Sequence, residues 1–307
     1  MELVDLGIGA VTRRSAVVSA RELSSDSPWL IVHPAPNGRR ARLRLFCFHY
    51  AGATASIFRS WRDGLPDWVE LVAVQLPGRE YRLAEPLLED AKPIVDALVE
   101  SVPVMLDLPF VFFGHSMGAL IAFDLARALR ERGYGEPALF VASGRNAPRY
   151  RWRDAGIQTL PDDAFIAAVC DYNGTPEALV AEPDLRDLWL PRLRADLTVS
   201  ATYRYTKAFP LNCPMLVLHG TDDGLVGDEG LKGWRAETRG PVRYVKHPGN
   251  HFFLHSDEQR VLAELNIELT SVLGVAQREQ QAKPDQTEAL ASFSAPANTY
   301  VIEDRRI

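Results

Sequence analysis

From about residue 42 to residue 274, short runs of apolar residues alternate with longer stretches in which apolar positions return every three or four residues. The short runs predict strands at Leu43–Phe48, Val69–Gln75, Phe110–Phe113, Leu139–Ala142, Met215–Leu218 and Val242–Lys246. Most are continuously apolar rather than alternating, which is the pattern of strands buried on both faces. The longer stretches predict helices at Glu89–Met105, where Ile94, Leu98, Val102 and Met105 share one side, and at Met117–Arg132. This alternation predicts an α/β protein built on a mostly parallel sheet flanked by helices.

Two features interrupt the rhythm. From Pro161 to about Tyr205 the pattern reads as successive helices with no strand between them, with Phe165, Val169 and Tyr172 along one side of the first. Such a segment is expected to insert over the sheet. The ends also differ: residues 1–28 show no periodicity, and Ala276–Ile307 opens with the polar stretch QREQQAKPDQTE, too poor in apolar residues to build a core. The expected organisation is an N-terminal extension (1–28), one domain (29–275) and a flexible C-terminal tail (276–307).

Composition narrows the function classes. The 307 residues are 47% hydrophobic and carry a formal net charge of −6, so nothing favours a nucleic-acid partner, which requires clustered Lys and Arg. No segment approaches the roughly 20 apolar residues that span a bilayer, and Arg13 and Arg14 stand where a secretory signal needs an apolar run. Three cysteines, Cys47, Cys170 and Cys213, share no CxxC spacing and point to neither a disulfide framework nor a zinc cluster. A cytoplasmic protein without cofactor or metal is expected.

The chemistry is concentrated in Gly114-His115-Ser116-Met117-Gly118, a G-x-S-x-G sequence that follows an apolar strand and opens a helix. That context is the nucleophile elbow, which resembles the α/β-hydrolase fold and makes Ser116 the expected nucleophile. A serine hydroxyl needs a neighbouring base, itself oriented by a carboxylate, and in this fold the order is serine, acid, histidine. Of the later histidines, His219 ends a strand and precedes the acid. His251 lies in the loop after the last predicted strand, where an α/β site gathers its groups, and is the expected base; His247 and His255 are read as packing or surface residues. The His251/His255 spacing lacks the glutamate of a zinc-protease helix, since Phe252 occupies its place. Asp222 and Asp223 both follow the strand Met215–Leu218; one of them is the acid and the other fixes the turn. Backbone N–H groups of Met117 and Ala51 are the expected oxyanion donors, Ala51 because it leaves an early strand among small residues.

Beyond these residues, the chain resembles the type II thioesterases that accompany polyketide and nonribosomal peptide synthetases. The resemblance runs through RLRLFCFHYAGA (42–53), VQLPGREYRLAEP (74–86), PFVFFGHSMGALIAFDLARALR (109–130), SGRNAP (143–148), LPRLRADL (190–197), CPMLVLHGTDD (213–223) and GNHFFLHS (249–256), and departs from the family's usual residues at Tyr50 and Ala53 and at both ends. It implies hydrolysis of aberrant or stalled acyl groups from the phosphopantetheine arm of an acyl or peptidyl carrier protein. It further implies a lid at 161–205 and Asp223 as the acid; a monomer is expected. The basic residues Arg39, Arg40, Arg42 and Arg44 offer one surface for an acidic carrier, against the plainer reading of solvated charge at a strand entry. Two other functions share the same signals: a carboxylesterase or acyltransferase with the same triad, and an inactive scaffold.

Overall fold

The structure is a computed structural model that describes residues 27–172 and 182–282. Seven strands form one sheet: β1 (Leu30–His33), β2 (Leu43–Phe48), β3 (Val69–Val74), β4 (Phe110–His115), β5 (Leu139–Ser143), β6 (Met215–Gly220) and β7 (Val242–His247). Their spatial order is β1-β3-β2-β4-β5-β6-β7, with β1 antiparallel to β3 and every other pair parallel. The six strands expected from apolar runs are present, and two of them reach two residues further into the functional loops, to His115 and Gly220. β1 was not foreseen. Its four residues LIVH are only partly buried at an edge, which gives no long apolar run to detect.

Strand side chains alternate between two cores, as the period of two requires. Phe46, Phe48 and Phe112 face helices α1 (Ala91–Ser101) and α2 (Met117–Glu131) on one side of the sheet. Leu45, Cys47, Val111 and Phe113 face the other side, with Phe58 and Trp61. α1 begins where Asp90 accepts from the Lys92 N–H at 2.7 Å, a side-chain cap on an otherwise unpaired donor. It ends at Ser101, and Pro103–Met105 continues as a 3-10 turn, so the helix expected over Glu89–Met105 is shorter at both ends.

The segment that breaks the rhythm contains α3 (Asp162–Cys170) and α4 (Pro183–Thr202); residues 173–181 between them lie outside the described residues. The two pack through a small core of their own in which Phe165, Val169, Trp189 and Leu193 meet. The last helix, α5 (Glu258–Ala282), buries Val261, Leu265 and Leu269 against the second core and runs into the first residues of the expected tail. The N-terminal extension up to residue 26 and positions 283–307 lie outside the described residues. Among the described residues no helix is long and apolar enough to cross a membrane.

Of the basic cluster considered for a carrier, Arg39, Arg40 and Arg42 are exposed and Arg44 is not. Arg44 is buried, its guanidinium bound to Glu70 Oε2 at 2.6 Å, to the Met105 carbonyl at 2.7 Å and to Asp107, and Arg39 pairs with Asp67. These residues also enter β2 at its N-terminal end, whereas the chemistry gathers at the C-terminal ends of the strands, roughly 20 Å away along a six-residue strand.

One buried ion pair ties α4 to the sheet. Arg79, after β3, grips Asp196 on α4 through two hydrogen bonds of 2.9 Å, and both side chains are fully enclosed. Removing one partner strands a buried charge, so Asp196→Ala is expected to lower unfolding free energy by about 3–5 kcal/mol. Asp96→Ala, which breaks an exposed Lys92–Asp96 pair, is expected to cost under ~1 kcal/mol. Urea denaturation of the two variants checks this; equal losses would show that the Arg79–Asp196 pair does not anchor α4.

Candidate active site

β4 ends at His115 and α2 begins at Met117, leaving Ser116 as the single residue of the turn. Its backbone has φ 53° and ψ −115°, a conformation that L residues rarely adopt. Its N–H donates to the Ser143 carbonyl at 2.8 Å, which fixes the turn against β5. The flanking glycines are required by contact: a Cβ on Gly114 would lie 2.5 Å from the Ala119 Cα, and one on Gly118 would lie 2.2 Å from the Phe48 carbonyl oxygen. The second contact also seats the start of α2 on the loop that leaves β2.

The loops after β6 and β7 are held together by backbone hydrogen bonds from Thr221 to His247 (2.8 Å) and from Asp222 to Gly249 (2.9 Å). This brings His251 Nδ1 to 2.8 Å from Asp223 Oδ2, with both side chains buried. The other Asp223 oxygen accepts from the Leu225 N–H at 3.0 Å, so the carboxylate cannot swing freely. Asp222 is exposed and takes only a 3.2 Å hydrogen bond from the Thr221 hydroxyl. His251 and Ser116 line the same cavity. The remaining histidines stand apart from it: His219 donates Nδ1–H to the Gly220 carbonyl at 3.3 Å, His247 meets Asp257 at 2.8 Å and stacks on Phe253, and His255 meets the Tyr50 hydroxyl at 2.9 Å.

Ala51 lines the cavity as well, and Met117 is the first residue of α2, where a backbone N–H has no partner within the helix. The loop carrying Ala51 is held from both sides. Asp196 accepts the Gly52 N–H at 2.7 Å, and Arg79 donates to the Ala53 carbonyl at 3.0 Å. Below it, His49 donates Nδ1–H to the Tyr50 carbonyl at 2.8 Å, and burial with the Arg79 charge pulls its pKa down to about 4. His49 is therefore loop packing, neutral at physiological pH.

Three functional positions were not singled out from the sequence. His115, the variable residue of the G-x-S-x-G motif, is wholly buried, and desolvation holds its pKa well below the usual histidine value. Its Nε2 lies 2.9 Å from the His251 carbonyl oxygen, which can only accept, so Nε2 carries the proton and Nδ1 accepts the Ser143 hydroxyl at 2.8 Å. Arg79 and Asp196 are the second and third; their segments PGRE and RADL carried the resemblance, but no spacing rule joins residues so far apart.

The cavity over Ser116 has a volume of about 330 Å³ and is walled mainly by apolar side chains, among them Ile57, Val169, Leu188, Trp189 and Leu197. α3 and α4 supply four of these five. Two arginines also reach it, Arg145 and Arg192. Arg192 is close enough to Asp196 and Glu80 to feel both charges. Arg145 is 7% exposed, and burial lowers its pKa to about 10, which leaves it cationic at neutral pH.

With this geometry in place, comparison with known proteins is informative. A thioesterase domain model matches residues 43–268. The chain is 38% identical over 233 residues to gramicidin S biosynthesis protein GrsT of Aneurinibacillus migulanus, covering 76% of this chain and 91% of that one. Among solved structures, RedJ, a thioesterase from the prodiginine biosynthetic pathway in Streptomyces coelicolor, superposes with a TM-score of 0.72 at 37% identity, over 76% of this chain and 95% of RedJ. BorB, the type II thioesterase of the borrelidin biosynthetic cluster, gives 0.71 at 30% identity over 80% and 97%. The chain belongs to the thioesterase domain family, as a serine hydrolase of the α/β-hydrolase fold and a type II thioesterase of the polyketide and nonribosomal peptide kind.

Proposed function

We propose that this enzyme hydrolyses aberrant or stalled acyl groups from the phosphopantetheine arm of acyl or peptidyl carrier proteins in the cytoplasm, with Ser116, His251 and Asp223 as its catalytic triad. The observation that carries this is the 2.8 Å contact between His251 Nδ1 and the buried Asp223 carboxylate, at the rim of the cavity that Ser116 lines. The site needs no residue from a second chain, which fits a monomer.

In this reading Asp223 holds the proton of His251 on Nδ1 and leaves Nε2 free to take the Ser116 hydroxyl proton. Ser116 Oγ bonds to the thioester carbonyl carbon, and the resulting oxyanion is met by the N–H groups of Ala51 and Met117. Collapse breaks the carbon–sulfur bond, and His251 returns the proton to the departing thiolate. Water then repeats the sequence on the acyl-enzyme: its oxygen bonds to the acyl carbon as His251 takes its proton, the carbon–oxygen bond to Ser116 breaks, His251 returns the proton to Ser116 Oγ, and a carboxylic acid leaves. The helices α3 and α4 act as the lid, their apolar side chains receiving the acyl chain and keeping bulk water from it.

Ser116→Ala is expected to fold normally and to lose at least roughly 10⁴-fold in thioester hydrolysis together with labelling by a fluorophosphonate. Near-normal turnover would remove Ser116 from the mechanism. Asp223→Asn lets the histidine settle in the wrong tautomer, so kcat should fall by about 10²- to 10⁴-fold at neutral pH. Asp222→Asn should change kcat by less than about twofold, since that carboxylate touches only the Thr221 hydroxyl. A larger loss in Asp222→Asn would reassign the acid. For the carrier, the expected result is a higher kcat/KM for an acyl group tethered to a carrier protein than for the same acyl group on coenzyme A, because remote contacts help position the thioester. Equal values would overturn carrier recognition.

A further inference from the structure

The loop that leaves β2 is fixed one peptide at a time. The Tyr50 carbonyl accepts from His49 Nδ1 at 2.8 Å and from the Ala53 N–H at 3.2 Å. A trans peptide is planar, so the direction of that carbonyl also sets the Ala51 N–H, which points the opposite way. The next peptide is held from α4, where Asp196 accepts the Gly52 N–H at 2.7 Å. Further on, the Ala53 carbonyl accepts from Arg79 at 3.0 Å. Ala51 thus sits between two peptide planes that are each pinned, one from within the loop and one by Asp196.

One buried carboxylate holds three donors. Asp196 Oδ2 accepts the Gly52 N–H and one Arg79 nitrogen, and Oδ1 accepts the other Arg79 nitrogen, both arginine bonds being 2.9 Å. Anchoring α4 requires only the ion pair; the bond to Gly52 is additional, and it is the shortest of the three. α4 meets the same glycine with two apolar side chains as well. Gly52 has φ 80°, and a Cβ there would lie 3.0 Å from Leu193 Cδ1 and 3.2 Å from Trp189 Nε1. Trp189, Leu193 and Asp196 follow one another at the spacing that shares a helix face, and the first two also wall the cavity over Ser116. One face of α4 therefore touches both the acyl cavity and the peptide after Ala51.

We propose that Asp196, itself held by Arg79, is a positioning residue for the reaction: it fixes the peptide that follows Ala51 and so the aim of the Ala51 N–H at the oxyanion formed on Ser116. This role rests on the mechanism proposed above, in which Ala51 is an oxyanion donor. Such a donor is effective only within about 2.7–3.1 Å of the place where the charge develops. A shift of the loop by about 1 Å is therefore enough to slow the reaction, although no group that touches substrate has been removed. Arg79 completes the device, because its charge cancels that of Asp196 and the loop is held without a net negative charge beside the developing oxyanion.

The test separates positioning from anchoring with the double variant Arg79→Met/Asp196→Leu. Apolar side chains of comparable volume can replace a buried ion pair without loss of stability, yet here they leave the Gly52 N–H and the Ala53 carbonyl without these partners. Val199→Ala is the control for a loosened α4, being buried on that helix but not among the residues that line the cavity. Two ligands with the same octyl chain are compared in each protein. In the trifluoromethyl ketone, Ser116 Oγ adds to the carbonyl carbon, the carbonyl electron pair moves onto oxygen, and the hydroxyl proton passes to His251. The methyl ketone stays a ketone. The double variant should lose roughly tenfold to 10²-fold in affinity for the trifluoromethyl ketone and in kcat for an octanoyl-pantetheine thioester, with methyl ketone affinity and KM within about twofold. Val199→Ala should keep the wild-type preference between the ketones. Equal weakening of both ketones in the double variant would show that the pair only shapes the cavity, and unchanged binding of both would show that it only anchors α4; either result overturns the proposal. So would a loss of preference in Val199→Ala as large as in the double variant. Should the double variant not fold, Asp196→Asn reads the same comparison, because one amide oxygen cannot serve all three donors. A wild-type protein that does not distinguish the ketones overturns the role of the loop. One that prefers the trifluoromethyl ketone but hydrolyses no thioester defeats the thioesterase reading alone, and the ketone preferences of the variants still decide the role of Asp196.

Discussion

Ser116 holds a positive φ because two neighbours have no side chain and because its N–H is tied to the Ser143 carbonyl. A strained backbone of this kind costs about 1–3 kcal/mol and persists only where the surroundings over-determine it. Here those surroundings are the centre of the sheet: β4 is paired on both sides, by β2 and β5, in parallel register. The same close approach that excludes a Cβ at Gly118 also lays the N-terminus of α2 against the loop after β2. Ser116 and the loop that leaves β2 are therefore set by one packing contact rather than by two independent ones.

The second fixed relation is between α4 and the loop that carries Ala51. Asp196 is at once the counter-ion of Arg79 and the acceptor of the Gly52 N–H. A helix that walls the cavity over Ser116 is thus joined by a buried, multiply bonded carboxylate to the peptide beside Ala51. Displacing α4 as a unit would disturb the Gly52 peptide as well as the cavity wall.

Much of this was legible in the sequence, and the limits follow from what spacing can encode. Five of the parallel strands, β2 to β6, are largely apolar runs because both their faces are buried, while the edge strand β7 (VRYVKH) keeps a weaker pattern; β1, four residues at the other edge with partial exposure, leaves no such trace. Ser116 was readable because its constraints are local, two glycines within two residues. His251 was readable by position, since the loops at the carboxyl ends of the strands converge. Between Asp222 and Asp223 local spacing made no choice, and it was the resemblance that pointed to Asp223, the residue whose carboxylate the two cross-loop hydrogen bonds turn inward. Arg44 shows the reverse failure. Its charge read as surface, yet Glu70 on the neighbouring strand and Asp107 before β4 neutralise it inside the fold, a pairing that only the sheet's register brings together.

His115 explains why the loop carrying His251 can be both buried and well placed. The His251 carbonyl faces the interior behind the triad, and an acceptor left bare there would cost about 1–3 kcal/mol. An apolar residue before the nucleophile would fill the space but leave that acceptor unpaired. A neutral imidazole supplies one donor and one acceptor on opposite sides of a flat ring, and Ser143 at the end of β5 gives the acceptor its partner. The chain of groups Ser143, His115 and His251 thus links the strand that fixes the Ser116 N–H to the residue proposed to deprotonate its hydroxyl. Burial keeps His115 neutral, and neutrality matters because a protonated ring would turn Nδ1 into a second donor and place a positive charge beside the His251 ring. His115 is therefore constrained by the loop of His251 and not only by the turn beside Ser116.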